Sequence, residues 1–155
     1  MTTETERKFL VKKDIWQKTE KPIPDFYRQG YLYSDVNKTI RIRITSVKAY
    51  LTIKGKTIGA SRPEFEFEIP KEDAEQMLNQ MAENSLEKYR YKIKFEGKLW
   101  ELDEFKGENE GLLLAEIELD NESETFALPP WAGEEVTQDN RYFNSYLARH
   151  PFSKW

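Results

Sequence analysis

EKYRYKIKF, residues 87–95, alternates without a break. Lys88, Arg90, Lys92 and Lys94 share one parity, and Tyr89, Tyr91, Ile93 and Phe95 share the other. A period of two puts each set on its own face of a β-strand, so this strand is cationic on one side and apolar on the other. Like charges two residues apart repel. They are tolerated only where opposite charge lies across from them.

The same period returns along the chain, in TETERKFLV (3–11), YRQGYLYS (27–34), KTIRIRIT (38–45), AYLTIKG (49–55), RPEFEFEIP (62–70), LWELDEF (99–105) and LLLAEIELD (112–120). With 86–97 these make about eight strands. Each charged face is largely of one sign. In the third strand Arg41 and Arg43 oppose Ile40, Ile42 and Ile44. In the fifth, Glu64, Glu66 and Glu68 oppose Phe65, Phe67 and Ile69, and in the eighth Glu116 and Glu118 oppose Ala115, Ile117 and Leu119. Glu101 with Asp103, and Glu4 with Glu6, repeat the acidic pattern. A solvent-facing sheet surface mixes signs along each strand; this one segregates them. The arrangement that satisfies every strand is a closed barrel with apolar side chains outward and charges converging on a lumen.

Helical spacing is confined to a few places. KEDAEQMLNQMAENS (71–85) sets Ala74, Met77, Leu78 and Met81 on one stripe behind an acidic first turn. DNRYFNSYLAR (139–149) can cap on Asp139 or Asn140 and spaces Phe143, Tyr146 and Leu147 helically. Residues 12–20 read as a short helix stopped by Pro22 and Pro24. Tight turns are expected at Gly97–Lys98 and near Ser46–Lys48. The expected fold is therefore α+β, mainly β: an eight-stranded antiparallel closed tunnel with helices packed on its outside.

Composition removes several classes of function. The chain has 155 residues, the length of one domain with a real core, and its 14% aromatic content argues against disorder. A net charge of −4 gives no general attraction to nucleic acid or anionic membrane, so neither is expected as a partner. There is no cysteine, which excludes thiolate chemistry and fits a cytoplasmic location. No stretch approaches the ~20 apolar residues of a membrane span, and the acidic beginning does not read as a secretory signal. The one histidine, His150, sits near the end and reads as a surface residue, so any metal would be held by oxygen. The sequence leaves the oligomeric state open, a homodimer included.

A lumen with Arg and Lys on one wall and carboxylates on the other suits a polyanion together with divalent cations. Guanidinium forks and ammonium groups take phosphate oxygens, and carboxylates take hard cations such as Mg²⁺ or Mn²⁺. KGKT (54–57) is not a phosphate loop, because the motif's first glycine would fall at Tyr50. Lys92, Lys94 and Glu68 read as tunnel-mouth charges, and Trp16, Trp100, Trp131 and Trp155 as packing residues. Arg62 is open between phosphate binding and pairing with a wall carboxylate.

Glu4-x-Glu6-x-Lys8 followed by FLV resembles the signature of the CYTH superfamily, the triphosphate tunnel metalloenzymes. RQGYL, IRIRI, LTIKG, SRPEFEFEI, EKYRYKI, WELDEF, LLLAEIEL and GEEVTQDNRYFNS extend the likeness over residues 1–155 as a single domain, closest in look to the short bacterial members. The resemblance implies an eight-stranded tunnel that binds a triphosphate with divalent metal. It assigns Lys8, Arg41, Arg43, Lys54, Lys88 and Arg90 to the triphosphate. Glu4, Glu6, Glu64, Glu66, Glu116 and Glu118 go to the metals, with Asp103 as a further metal-side group. Lys8 and Tyr31 are the implied catalytic pair beside the attacking water. The activity implied is hydrolysis of inorganic tripolyphosphate with Mg²⁺ or Mn²⁺. An adenylate cyclase, a thiamine or nucleoside triphosphatase and a non-catalytic polyphosphate-binding module are the alternatives. With no Cys and no His in the site, direct attack on phosphorus under electrostatic clamping is the expected chemistry.

Overall fold

The computed structural model describes residues Thr2–Trp155. Nine strands and three α-helices follow in the order β1 (Thr2–Val11), α1 (Lys13–Gln17), β2 (Asp25–Ser34), β3 (Lys38–Ile44), β4 (Ala49–Gly55), β5 (Ser61–Ile69), α2 (Lys71–Met81), β6 (Asn84–Phe95), β7 (Lys98–Phe105), β8 (Leu113–Glu118), β9 (Ala132–Glu135) and α3 (Asn144–Arg149). The first eight close a ring, β1-β5-β4-β3-β2-β6-β7-β8-β1, and every neighbouring pair is antiparallel. The barrel expected from the alternation is the barrel observed.

Closure turns on β1. Its first residues, Thr2–Thr5, pair with β5, while Glu6–Leu10 pair with β8 on the opposite edge. Beyond β5 the vacated edge of β1 is taken by β9, at Phe9 and Val11. This ninth strand, AGEE, is too short for its period to stand out in the sequence.

Apolar side chains face outward and are covered in two places. On one side α2 lays Ala74 and Leu78 over Ile42 and Ala49. The helix can approach β2 so closely because residue 30 is glycine: a Cβ there would lie 2.7 Å from Leu78 Cδ2. On the other side Phe9, Trp100, Leu102, Ala115 and Ile117 are covered by Trp16 of α1 and by the segment carrying Leu119, Phe126 and Trp131. Trp100 packs edge-on against Trp131 and Phe126. Three of the four tryptophans are thus buried packing residues; Trp155 is half exposed against Tyr142 and Phe152.

Boundaries shift for local reasons. Helix α2 stops at Met81, short of residue 85, because Asn84 already pairs with Tyr31 in the ladder. The β6–β7 hairpin turns on Glu96 and Gly97, both at positive φ, the backbone a two-residue turn of this hand demands. The C-terminal helix is shorter than its spacing suggested. A 3₁₀ turn over Asn140–Tyr142, with Asp139 accepting from the Arg141 amide, precedes α3.

Helix α3 does not lie along the outside of the barrel. Its Leu147 is buried with Leu86, Phe105 and Leu114, residues in phase with the lumen-facing charges of β6, β7 and β8. The helix closes one end of the tunnel with a hydrophobic floor and leaves the other end as the mouth.

Candidate active site

The lumen is a polar cavity of about 280 Å³. Ring order divides it into two walls. Strands β4, β3, β2 and β6 are contiguous and carry Lys54, Arg41, Arg43, Lys88, Arg90 and Lys92. Strands β7, β8, β1 and β5 are contiguous and carry Glu101, Glu116, Glu118, Glu4, Glu6, Glu64 and Glu66. Among the described residues, only Lys8 on β1 and Arg62 on β5 place positive charge on the acidic wall. The segregation seen strand by strand in the sequence is therefore a segregation of the cavity into halves.

Most of the cations already hold carboxylates. Lys54 Nζ lies 2.9 Å from Glu4 and 3.5 Å from Glu64. Arg62 Nε is 3.4 Å from Glu4. Lys8 Nζ donates to the Tyr142 carbonyl at 2.9 Å and stands 3.6 Å from Glu116. Arg41 reaches Glu66 at 3.6 Å and Thr52 Oγ1 at 3.2 Å. Two donors stand out. Arg41 Nε is buried without a hydrogen-bond partner. Arg43 donates only to the Gln29 carbonyl oxygen, at 2.9 Å, and among the described residues forms no ion pair. Burial, with Arg41 and Arg90 nearby, pushes the Arg43 guanidinium down to about 10. A cation enclosed beside two like charges with no carboxylate is costly unless an anion completes it.

The carboxylates are crowded as well. Burial works to raise Glu4, but Lys54 and Arg62 outweigh it and hold Glu4 well below the usual range. Burial likewise opposes the lowering of Glu116, which Lys8, Arg90 and Lys88 achieve together. Their neighbours take the protons instead. Burial, then the charges of Glu116 and Glu4, push Glu6 up to about 8. Burial and a hydrogen bond shared with Glu4 push Glu64 up to about 7. Burial also raises Glu118. Acid pairs that share protons at neutral pH are suited to exchange them for a hard cation. Among the described residues no three carboxylates converge tightly enough to enclose a cation unaided.

Of the residues expected in the site, all but one line the cavity: Glu4, Glu6, Lys8, Tyr31, Arg41, Arg43, Lys54, Glu64, Glu66, Lys88, Arg90, Glu116 and Glu118. Asp103 does not. It is fully buried, with Oδ1 accepting from Arg90 Nε at 2.8 Å and Oδ2 from Lys88 Nζ at 2.7 Å and Arg90 Nη2 at 2.9 Å. Both oxygens are committed to cations, and Asp103 sits beneath the basic wall, outside the cavity lining. Burial favours neutral Asp103, but Arg90 and Lys88 keep it ionised.

Several lining residues escaped the sequence reading. Tyr27 lies under both the Arg43 and Arg90 guanidiniums, at 4.9 and 5.1 Å from its ring centre. Its parity with Gln29 and Tyr31 was legible, but uncharged side chains gave no reason to single it out. Phe143, Asn144 and Ser145 reach the cavity from the closing helix, with Lys88 Nζ donating to Asn144 Oδ1 at 2.8 Å. The sequence set Phe143 on a helical stripe and gave none of the three a place at the lumen. Lys92 and Lys94 are exposed at the mouth, and Glu68 pairs with Lys48 there at 3.2 Å.

A closed antiparallel barrel whose lumen is split between a cationic and an anionic wall defines a polyanion-binding tunnel. The CYTH domain model matches residues 2–147, and the chain belongs to that family. It is 47% identical to an inorganic triphosphatase of Acetivibrio thermocellus over 100% of this chain and 99% of the relative. An inorganic triphosphatase of Nitrosomonas europaea is 38% identical over 94% and 97% of the two chains. A crystal structure of an inorganic triphosphatase superposes with a TM-score of 0.65 at 36% identity, covering 96% of this chain and 95% of its own. Among the described residues no helix is long and apolar enough to cross a membrane.

Proposed function

We propose that the chain hydrolyses inorganic triphosphate to pyrophosphate and orthophosphate inside the charged tunnel, with Mg²⁺ or Mn²⁺. The observation that carries this reading is the basic wall opposite the glutamates, where Arg41 Nε has no hydrogen-bond partner and Arg43 pairs with no carboxylate. A small, highly charged anion supplies the charge that this wall lacks. The inorganic triphosphatases that the chain resembles support the same substrate.

Lys54, Arg41, Arg43, Lys88 and Arg90 bind and orient the phosphate chain along the basic wall, and Asp103 holds the last two in place. Glu4, Glu6, Glu64, Glu66, Glu116 and Glu118 are the residues that would hold divalent cations. When bound, such cations neutralise phosphate charge and polarise the phosphorus–oxygen bonds. Water then attacks the terminal phosphorus in line: its oxygen forms the new P–O bond, the bridging P–O bond breaks with its electron pair going to the departing pyrophosphate, and the water's two protons end one on each product. Lys8 and Tyr31, on opposite walls of the inner cavity, orient that water and the oxygens whose charge grows. No covalent enzyme intermediate is needed, since His150 stacks on Tyr146 outside the cavity lining.

The test is phosphate release from tripolyphosphate, ATP and thiamine triphosphate, each with Mg²⁺, with Mn²⁺ and in excess EDTA, with cyclic nucleotide assayed alongside. Tripolyphosphate should be turned over at least as fast as either organic substrate, and EDTA should abolish turnover. Cyclic AMP as the main product, or metal-bound tripolyphosphate without release, would sink the proposal.

A further inference from the structure

We infer that Gln29 is a positioning residue that fixes the direction of the Tyr31 hydroxyl and couples it to Arg43. This rests on the reading that Tyr31 touches the substrate. Gln29 lies on the lumen parity of β2 and has no exposed surface. Its side chain nevertheless makes three hydrogen bonds. Oε1 accepts from Arg43 Nε at 2.9 Å, while Nε2 donates to the Tyr31 oxygen at 3.3 Å and to Asn144 Oδ1 at 3.2 Å.

The polarity of this network has one solution. A guanidinium can only donate, so the oxygen of the Gln29 amide must face Arg43 and its nitrogen must face Tyr31. Asn144 is fixed in the same way, because Lys88 Nζ, also a pure donor, occupies its oxygen at 2.8 Å. Tyr31 is therefore obliged to accept from Gln29, which leaves its own proton unspent. Among the described residues no acceptor takes that proton, and Tyr31 lines the cavity. The hydroxyl is thus a donor aimed into the lumen, where it meets a phosphoryl oxygen. A bond accepted at its oxygen polarises the O–H and strengthens it as a donor. The same amide holds Arg43, so the donor and the guanidinium meet the anion as one preset unit.

Gln29→Glu tests this while keeping an acceptor for Arg43. The carboxylate has no N–H to give, so it accepts the Tyr31 proton and turns it away from the lumen. With tripolyphosphate and Mg²⁺, kcat should fall about tenfold or more, with Tm within about 3 °C of wild type. In a Tyr31→Phe background there is no proton to turn, so the same substitution should cost less than about threefold in kcat, while the new charge beside Arg43 still raises KM. Gln29→Leu, which also strips Arg43 of its acceptor, should raise KM besides but show the same coupling in kcat. Multiplicative losses, or wild-type turnover in Gln29→Glu, overturn the role of Gln29 alone. Wild-type turnover in Tyr31→Phe overturns the reading of Tyr31 and this inference with it.

Discussion

Glu6 carries the main electrostatic conflict of the cavity, since it is enclosed by burial and by the charges of Glu116 and Glu4. These push its carboxyl up to about 8 in the fold, against an ordinary value of 4.5. A raised folded-state value means that the folded chain binds the proton more tightly than the unfolded chain. The resulting stability is fully present below pH 4.5 and is lost as pH rises through about 8. Glu6→Gln is neutral throughout and escapes that loss. In EDTA, the Tm of the variant relative to wild type should therefore climb between about pH 5 and 9, as followed by calorimetry. A constant difference across that range would remove the protonated acid pair from the account.

Strands β6 and β7 are bound by more than their ladder. Arg90 and Asp103 are direct cross-strand partners, and Asp103 clamps Arg90 with two oxygens while also holding Lys88. Asp103→Asn leaves two buried cations short of a counter-charge, a loss worth about 3–5 kcal/mol. Urea unfolding should register that loss. Turnover should fall too, and added Mn²⁺ should not restore it, because both Asp103 oxygens already hold side-chain cations; recovery with Mn²⁺ would return Asp103 to the metal side. The sequence could not separate Asp103 from Glu101. Both alternate onto the lumen face, and only the register against β6 puts one carboxylate in the cavity and the other under Arg90. Alternation of the strands was legible because period two and charge sign are local properties. The ninth strand, the helix that floors the tunnel and the contacts of Phe143 and Asn144 arise from chain segments far apart in sequence. No local period encodes such closures.

At the scale of the molecule, the net charge of −4 conceals the feature that matters: two contiguous half-barrels of opposite sign facing each other across about 280 Å³. The two halves compensate each other incompletely, and the shortfall is concentrated at Arg41 and Arg43. Relieving that crowding should not harm the fold, whereas it should disarm the site. The most direct measurement is made on the Arg41→Ala, Arg43→Ala double variant, comparing phosphate release from tripolyphosphate with Mg²⁺ and Tm on one preparation. The account predicts a loss of about a hundredfold or more in kcat/KM with Tm unchanged or higher. Wild-type turnover in that double variant would contradict it.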